Sequence, residues 1–116
     1  MVKLQDDNGY IQISNDVFTA LTGEAATSCF GVKGMVVRSV TDGLVHLLKR
    51  EAMGKGVKII YHPDGTVTIQ LHIAVDQNVN IPVVCDSIIE EVRYKIEHAT
   101  GVTVRMVDVF VESIIS

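Results

Sequence analysis

The sequence predicts a single α+β domain over residues 1–116, in which a small mixed sheet packs in two layers against a long C-terminal helix. Three stretches support this prediction: a capped amphipathic helix between Asn80 and Gly101, a valine-rich strand that follows it, and two strands joined by a tight turn at 57–76. The predicted order of elements is β-α-α-β-β-α-β.

The first predicted elements are a strand and a helix near the N-terminus. Residues 9–13, GYIQI, are typical of a short strand, and Ser14 or Asn15 then provides a helix N-cap. Small and apolar residues follow on a broad helix face, and glycines at 31 and 34 end it. A second helix is predicted within residues 35–53, where apolar residues recur at helical spacing at Val40, Leu44, Leu47 and Leu48.

The boundaries of this second helix are the least defined in the chain. Residues 35–40 are equally compatible with an extended segment, and Gly43 weakens a helix by about 1 kcal/mol relative to alanine. The GKG run at 54–56 ends the predicted helix.

A hairpin is predicted next. Residues 57–61, VKIIY, form one strand, and His62-Pro63-Asp64-Gly65 has proline and glycine where a type I turn favours them. The return strand at 66–76 alternates apolar and polar residues throughout. One face of this strand is therefore predicted to be buried, and the other to be exposed or lightly covered.

The long helix has signals at both ends. Asn80 is a favoured N-cap, Pro82 fits the first turn, and Gly101 supplies a left-handed stop. Its predicted buried stripe recurs at spacings of three and four residues and consists of Ile81, Cys85, Ile88, Val92, Ile96 and Ala99.

The last predicted strand changes phase partway along. Apolar residues alternate from Val102 to Met106 and again from Val107 to Val111, out of step by one residue. A β-bulge near Arg105 and Met106 would keep one face buried.

The composition narrows the functional classes. The net charge of −4 provides no overall basic field to attract nucleic acid, and 116 residues suffice for a core without disulfides or metal. Cys29 and Cys85 lack the spacing of a redox or metal motif, which favours a reducing compartment. Acidic residues near the N-terminus and the absence of a run of roughly 18 apolar residues predict a cytoplasmic protein, which is compatible with a membrane-bound partner.

No chemical motif emerges from the remaining residues. The four histidines at 46, 62, 72 and 98 lie on different predicted elements, without the spacings of zinc sites. Serines lack a nucleophile elbow, and Glu91 and Lys95 form the i,i+4 pair of a solvated helix face. We therefore predict a non-enzyme with no catalytic residues, no metal ligands and no cofactor.

One alternative is an RNA-binding module. KH-type domains hold a nucleotide backbone with a Gly-x-x-Gly loop between two helices, and GVKG at 31–34 lies between two predicted helices. The residues of this alternative RNA loop are Gly31, Lys33, Gly34 and Arg38. The negative net charge and the common need for glycine at helix ends argue against it.

Several short motifs together resemble the alkaline-shock protein family of bacterial envelope-stress proteins. They are IQIS at 11–14, EAA at 24–26, FGVKGM at 30–35, KGVKI at 55–59, NIP at 80–82, TGVTV at 100–104 and VDVFV at 107–111. The resemblance covers nearly the whole chain. Departures are Asn78, where members often have glycine, and Ile89, where they often have glutamine.

The resemblance implies a non-enzymatic cytosolic protein that supports envelope homeostasis under stress. It also implies association with itself or with a membrane-anchored relative, without direct membrane insertion. The candidate interaction surface is the apolar end of the chain, which comprises Val109, Phe110, Val111, Ile114 and Ile115. The competing interpretation is that these residues form only a core strand and a frayed end.

Overall fold

A computed structural model describes residues 1–38 and 43–116 and confirms the α+β class. In the described residues, two α-helices and a 3-10 helix accompany a five-stranded mixed sheet and a separate two-stranded hairpin. The strands are β1 Val2–Asp6, β2 Gly9–Ile13, β3 Val32–Arg38, β4 Val45–Leu47, β5 Val57–Tyr61, β6 Val67–Asp76 and β7 Val104–Ile115. The helices are α1 Asn15–Thr27, the 3-10 helix Arg50–Gly56 and α2 Ile81–Thr100.

Strand β6 is the centre of the sheet. One of its edges pairs along its length with the parallel strand β7, and the antiparallel strands β5 and β3 share the other edge. The short strand β4 extends the sheet beyond β3. The predicted alternation in β6 is confirmed, because all five of its helix-facing residues are fully buried: Val67, Ile69, Leu71, Ile73 and Val75. On the other face, Thr68 and Ala74 are buried, whereas Gln70 and His72 are half-buried, so only the middle of that face is lightly covered.

Helix α2 begins and ends where the sequence predicts. The Asn80 side chain accepts a hydrogen bond from the Val83 N–H, and Gly101 has a φ of 75°. The buried stripe is Val84, Ile88, Val92 and Ile96, whereas Cys85 is half-buried and Ala99 is exposed. Ile81 packs partly against the core as predicted. The predicted stripe is therefore right except at Cys85, where a repeat of four places Val84 one turn before Ile88, and at Ala99.

The predicted second helix is wrong. The described part of 35–53 consists of the end of β3, strand β4 and most of the 3-10 helix, while Val40 lies outside the described residues. β3 pairs with β6, with Met35 opposite Ile73, and buries Met35 and Val36 completely. A short apolar run fits both the helical period of 3.6 residues and the strand period of 2. Here pairing with the distant strand β6 selects the strand. The extended alternative holds for residues 35–38.

The hairpin of β1 and β2 contains one strand with no predicted counterpart. Its register places Leu4 opposite Ile11, and these side chains are 36% and 62% exposed. Only the base of the hairpin, at Val2 and Ile13, packs on the core. β2 itself is confirmed over Gly9–Ile13.

Candidate functional site

Strand β7 forms an edge of the main sheet. It has 12 residues and pairs with β6 alone among the described strands, so its outer backbone groups have no strand beside them. The predicted bulge is confirmed: Val104 pairs with Val67 and Met106 with Thr68, which leaves Arg105 as the extra residue. A second, unpredicted bulge occurs at Glu112, between the pairs Ile73–Val111 and Ala74–Ser113.

The residues of the candidate interaction surface lie on β7 but divide between its two faces. Val109 and Val111 stand beside fully buried residues of β6 and pack partly against the core. Phe110 is 40% exposed on the opposite face, beside His72. The bulge then changes the alternation, so Ile114 pairs with Val75 on the helix side and is 58% exposed. Ile115 is half-buried beside Asp76.

A polar cluster crosses three strands next to Phe110. The Glu112 carboxylate accepts a hydrogen bond from the Arg38 guanidinium at 3.4 Å and lies 3.2 Å from His72 Nδ1. The His72 ring stacks on Phe110, with centroids 4.8 Å apart and planes inclined by 15°. One step along the strand, the Gln70 amide donates to the Asp108 carboxylate at 3.2 Å.

These contacts change the chemistry of Glu112. The hydrogen bond from His72 lowers the pKa of the Glu112 carboxyl, and the charges of His72 and Arg38 and the Arg38 hydrogen bond act in the same direction. The cluster is partly exposed, since 24% of the Glu112 side chain remains accessible. The cluster links β3, β6 and β7 through side-chain contacts.

Sequence reasoning missed this cluster for a definable reason. Alternation placed His72 on the polar face of its strand, which is correct. Its partners lie 40 and 38 residues away, and only the parallel register of β6 and β7 brings them together. The position of Glu112 within the cluster also depends on the second bulge. The sequence shows no change in apolar alternation there like the one near Arg105.

The GVKG segment does not have the setting that the RNA-binding alternative requires. It follows α1 and continues into β3, which begins at Val32, so it does not connect two helices. Lys33 pairs with Asp76 at 3.6 Å, and Arg38 donates to the Gly43 carbonyl at 2.7 Å as well as to Glu112. The structure therefore distributes these residues along a strand, with both cations engaged, and does not gather them into a loop.

Gly31 has a packing role. Its φ is +89°, and a Cβ at this position would lie 2.8 Å from Val79 Cγ1 and 3.0 Å from Val84 Cγ2. Only glycine combines that conformation with such a close approach. The loop is thus shaped by contact with the start of α2.

The cysteines and histidines form no reactive or metal-ligating group in the described part of the chain. Cys29 and Cys85 are free and half-buried, and burial raises the pKa of both thiols, with smaller contributions from Glu91 and Asp86 respectively. A thiol with a raised pKa is a poor nucleophile.

A groove of about 850 Å³ lies between α1 and the 3-10 helix. Several hydroxyl groups line it, but those of Thr19, Thr27 and Ser28 donate to carbonyls of their own helix. They satisfy the helix backbone and leave no convergent set of donors for a ligand.

Within the described ranges, neither α1 nor α2 is a candidate membrane span by length and hydropathy.

Several known proteins are similar to this chain. The uncharacterized protein Spy1614 of Streptococcus pyogenes serotype M6 is 33% identical over 114 residues, which cover 97% of this chain and 93% of that protein. The uncharacterized protein YloU of Bacillus subtilis is 28% identical over 114 residues, covering 97% and 94%. A solved structure, the cadmium form of a MamM CTD variant, matches 84% of this chain and 94% of that chain with a TM-score of 0.49 and 18% identity.

The family comparison agrees with the resemblance seen in the motifs. A family profile described by a cell envelope-related function matches residues 3–116. The match includes both helices and the strands of the main sheet. The chain therefore belongs to the alkaline shock protein family, whose described function is cell envelope-related.

Proposed function

We propose that this chain is a non-enzymatic interaction module that supports the cell envelope from the cytoplasm by associating through β7. Its partners are a second copy of the chain and a membrane-anchored relative with the same edge strand. The carrying observation is that β7 is 12 residues long and pairs with β6 alone among the described strands.

The distribution of charge along β7 supports pairing at its C-terminal half. Edge strands usually carry charges or bulges that block a further strand. Here Asp108 is engaged by Gln70, and Glu112 by Arg38 and His72. Between these two carboxylates, residues 109–111 carry no charge. A second β7 strand can align there without burying an unpaired ion.

The exposed apolar side chains of the same region add to this argument. Phe110 is 40% exposed and Ile114 is 58% exposed, although their neighbours Val109 and Val111 pack against the core. Burial of such side chains in an interface stabilises it by about 25 cal/mol per Å² of apolar area. The non-enzymatic part of the proposal is supported by how the polar side chains are used. Thr19, Thr27 and Ser28 bond to carbonyls of their own helix, and Asp108 and Glu112 bond to side chains of neighbouring strands.

Light scattering across the micromolar range tests the association. We expect the wild-type chain to be larger than a monomer, and Phe110→Lys and Ile114→Lys to reduce its size by placing a charge in the interface. Tyr94→Lys is the matched control, because Tyr94 is a 63% exposed aromatic residue on α2. A wild type that is monomeric throughout, or an equal effect of Tyr94→Lys, would contradict the proposal.

A further inference from the structure

The C-terminal end of β7 is attached to the sheet by side chains as well as by its backbone. Glu112 occupies the extra position of the second bulge, where the regular ladder with β6 is interrupted. At that point Glu112 bonds to Arg38 of β3 and His72 of β6. Two positions earlier, Phe110 stacks on the same imidazole. His72 therefore contacts β7 just before the interruption, at Phe110, and at the interruption itself, at Glu112.

Both contacts of His72 are stronger when its ring carries a proton. An imidazolium forms a charge-assisted hydrogen bond with a carboxylate, which is about twice as strong as a neutral one. A cation stacked on an aromatic ring also gains from the ring quadrupole. Histidine is the side chain whose ordinary titration lies between pH 5 and 8. The attachment of the strand end is thus coupled to protonation.

We propose that His72, Glu112 and Arg38 form a pH-sensitive latch, which holds residues 110–115 in the sheet while the imidazole is protonated and loosens them as pH rises. The latch deepens the proposed function, on which it rests, because the segment that it controls contains the β7 edge. Loosening the segment changes how that edge is presented to a second copy.

Other charged groups surround the latch. Lys55 of the 3-10 helix lines the same depression of about 330 Å³ as Arg38, His72 and Glu112. From β5, Lys58 stands opposite Gln70, and from β7, Asp108 bonds to that glutamine. On β4, His46 stands opposite Val37. His46 is the other imidazole near the cluster, so it has to be separated from His72 experimentally.

The direction of the pH effect on residues 110–115 follows from the His72–Glu112 pair. A protonated imidazole forms an ion pair with the Glu112 carboxylate. Loss of that proton removes the positive charge and leaves a neutral hydrogen bond. Because 41% of the His72 side chain is accessible, the change is that of a surface pair, about two- to five-fold in the opening equilibrium of the segment.

Hydrogen exchange measures this opening directly. The observable is the protection of the β7 amides at 110–115 that bond to β6, corrected for intrinsic exchange, at pH 5.5 and pH 8.5. We expect protection in the wild type to fall about two- to five-fold at the higher pH. His72→Gln and Glu112→Gln should remove this pH dependence, whereas His46→Gln should retain it. A pH-independent wild type, or retention of the effect in His72→Gln, would overturn the latch.

Two chain concentrations separate the latch from self-association. The pH effect of the latch is local and should be equal at both concentrations, while protection from pairing with a second copy rises with concentration. Light scattering of the same samples reports the association itself. A pH-dependent protection in a strict monomer supports the latch and rejects the proposed function. A pH-independent protection in an oligomer rejects the latch alone.

Discussion

At Gly31, two independent constraints act on one residue. Its φ of +89° disfavours any side chain, and an added Cβ would approach Val79 and Val84 to 3.0 Å or less. Gly65 provides a matched control, because it has the same φ of +89° but no atom within 4 Å of an added Cβ. The two glycines therefore separate backbone strain from crowding.

Gly31→Ala should lower the free energy of unfolding by about 2–4 kcal/mol, the sum of strain and overpacking. Gly65→Ala should lower it by only about 1–2 kcal/mol, because strain acts alone. Urea denaturation of both variants measures the difference. Equal losses would show that Val79 and Val84 move aside for the added Cβ without lowering the free energy of unfolding.

Glu112 predicts a dependence of stability on acid. Its pKa lies below the ordinary value of 4.5, because His72 and Arg38 favour the carboxylate. A group with a lowered pKa stabilises the fold above its ordinary value, and this contribution disappears as pH falls through the lowered value. We expect Glu112→Gln to have a lower free energy of unfolding than the wild type at pH 6. The two free energies should become equal at acidic pH, where the Glu112 carboxyl of the wild type is protonated and neutral.

Denaturant titrations of the two proteins between pH 6 and pH 3 check this difference. Asp64→Asn is a useful comparison, since hydrogen bonds from the side chain and backbone of Thr66 lower the pKa of Asp64 without involving His72. A gap between wild type and Glu112→Gln that stays constant down to pH 3 would contradict the linkage.

At the scale of elements, local signals predicted α2 and the β5–β6 hairpin correctly. Asn80 and Gly101 act within one turn of the helix, and the turn bond from the Gly65 N–H to the His62 carbonyl spans three residues. β3 has no such local signal, because its partner in β6 is about 40 residues away. For that reason its first residues were predicted as a break after a helix, and residues 35–38 were assigned to the second helix with an extended segment as the alternative. β1 was missed although Asp7-Asn8 before Gly9 is a recognised turn sequence.

The N-cap of α2 can be tested in isolation. Asn80→Ala removes the acceptor for the Val83 N–H and should lower the free energy of unfolding by about 1 kcal/mol. Asn78→Ala is the control, because this exposed residue does not have the left-handed conformation that glycine would favour there. Its effect should stay within about 0.5 kcal/mol. Thermal or urea unfolding of the two variants decides, and equal losses would exclude a capping contribution.

At the scale of the molecule, the sequence predicted the last strand and its first bulge, but not how residues 109–115 are arranged on that strand. The apolar pattern of 109–115 predicted an interaction surface at the end of the chain, and the phase change at Arg105 predicted the first bulge. That β7 is an edge follows from strand order, which depends on pairings between distant segments. The bulge at Glu112 then separates Phe110 from Ile114 on opposite faces, which simple alternation cannot show.

Whether the chain binds lipid directly depends on the charge and the exposed apolar area of its whole surface. Anionic lipid attracts proteins by about 1 kcal/mol per lysine or arginine near the membrane, and this chain has a net charge of −4 with no polybasic stretch. Phe30 is 90% exposed beside Lys33 and Asp76, and Tyr10 and Ile11 are exposed on the β1–β2 hairpin. Neither site is an amphipathic helix with a basic face, the kind of element that anchors a protein in the membrane interface. We therefore expect a protein partner, not lipid, to bring the chain to the membrane.

Liposome flotation separates the two routes. The purified chain should stay at the bottom of the gradient with both neutral and anionic vesicles. Vesicles that carry a reconstituted membrane-anchored relative should float it, and Phe110→Lys should reduce that flotation while Tyr94→Lys does not, because only Phe110 lies on the β7 edge. Flotation with lipid alone would place the contact on lipid and remove the need for a partner. Flotation by the relative that Phe110→Lys leaves unchanged would keep the partner and exclude β7 as the surface that it binds.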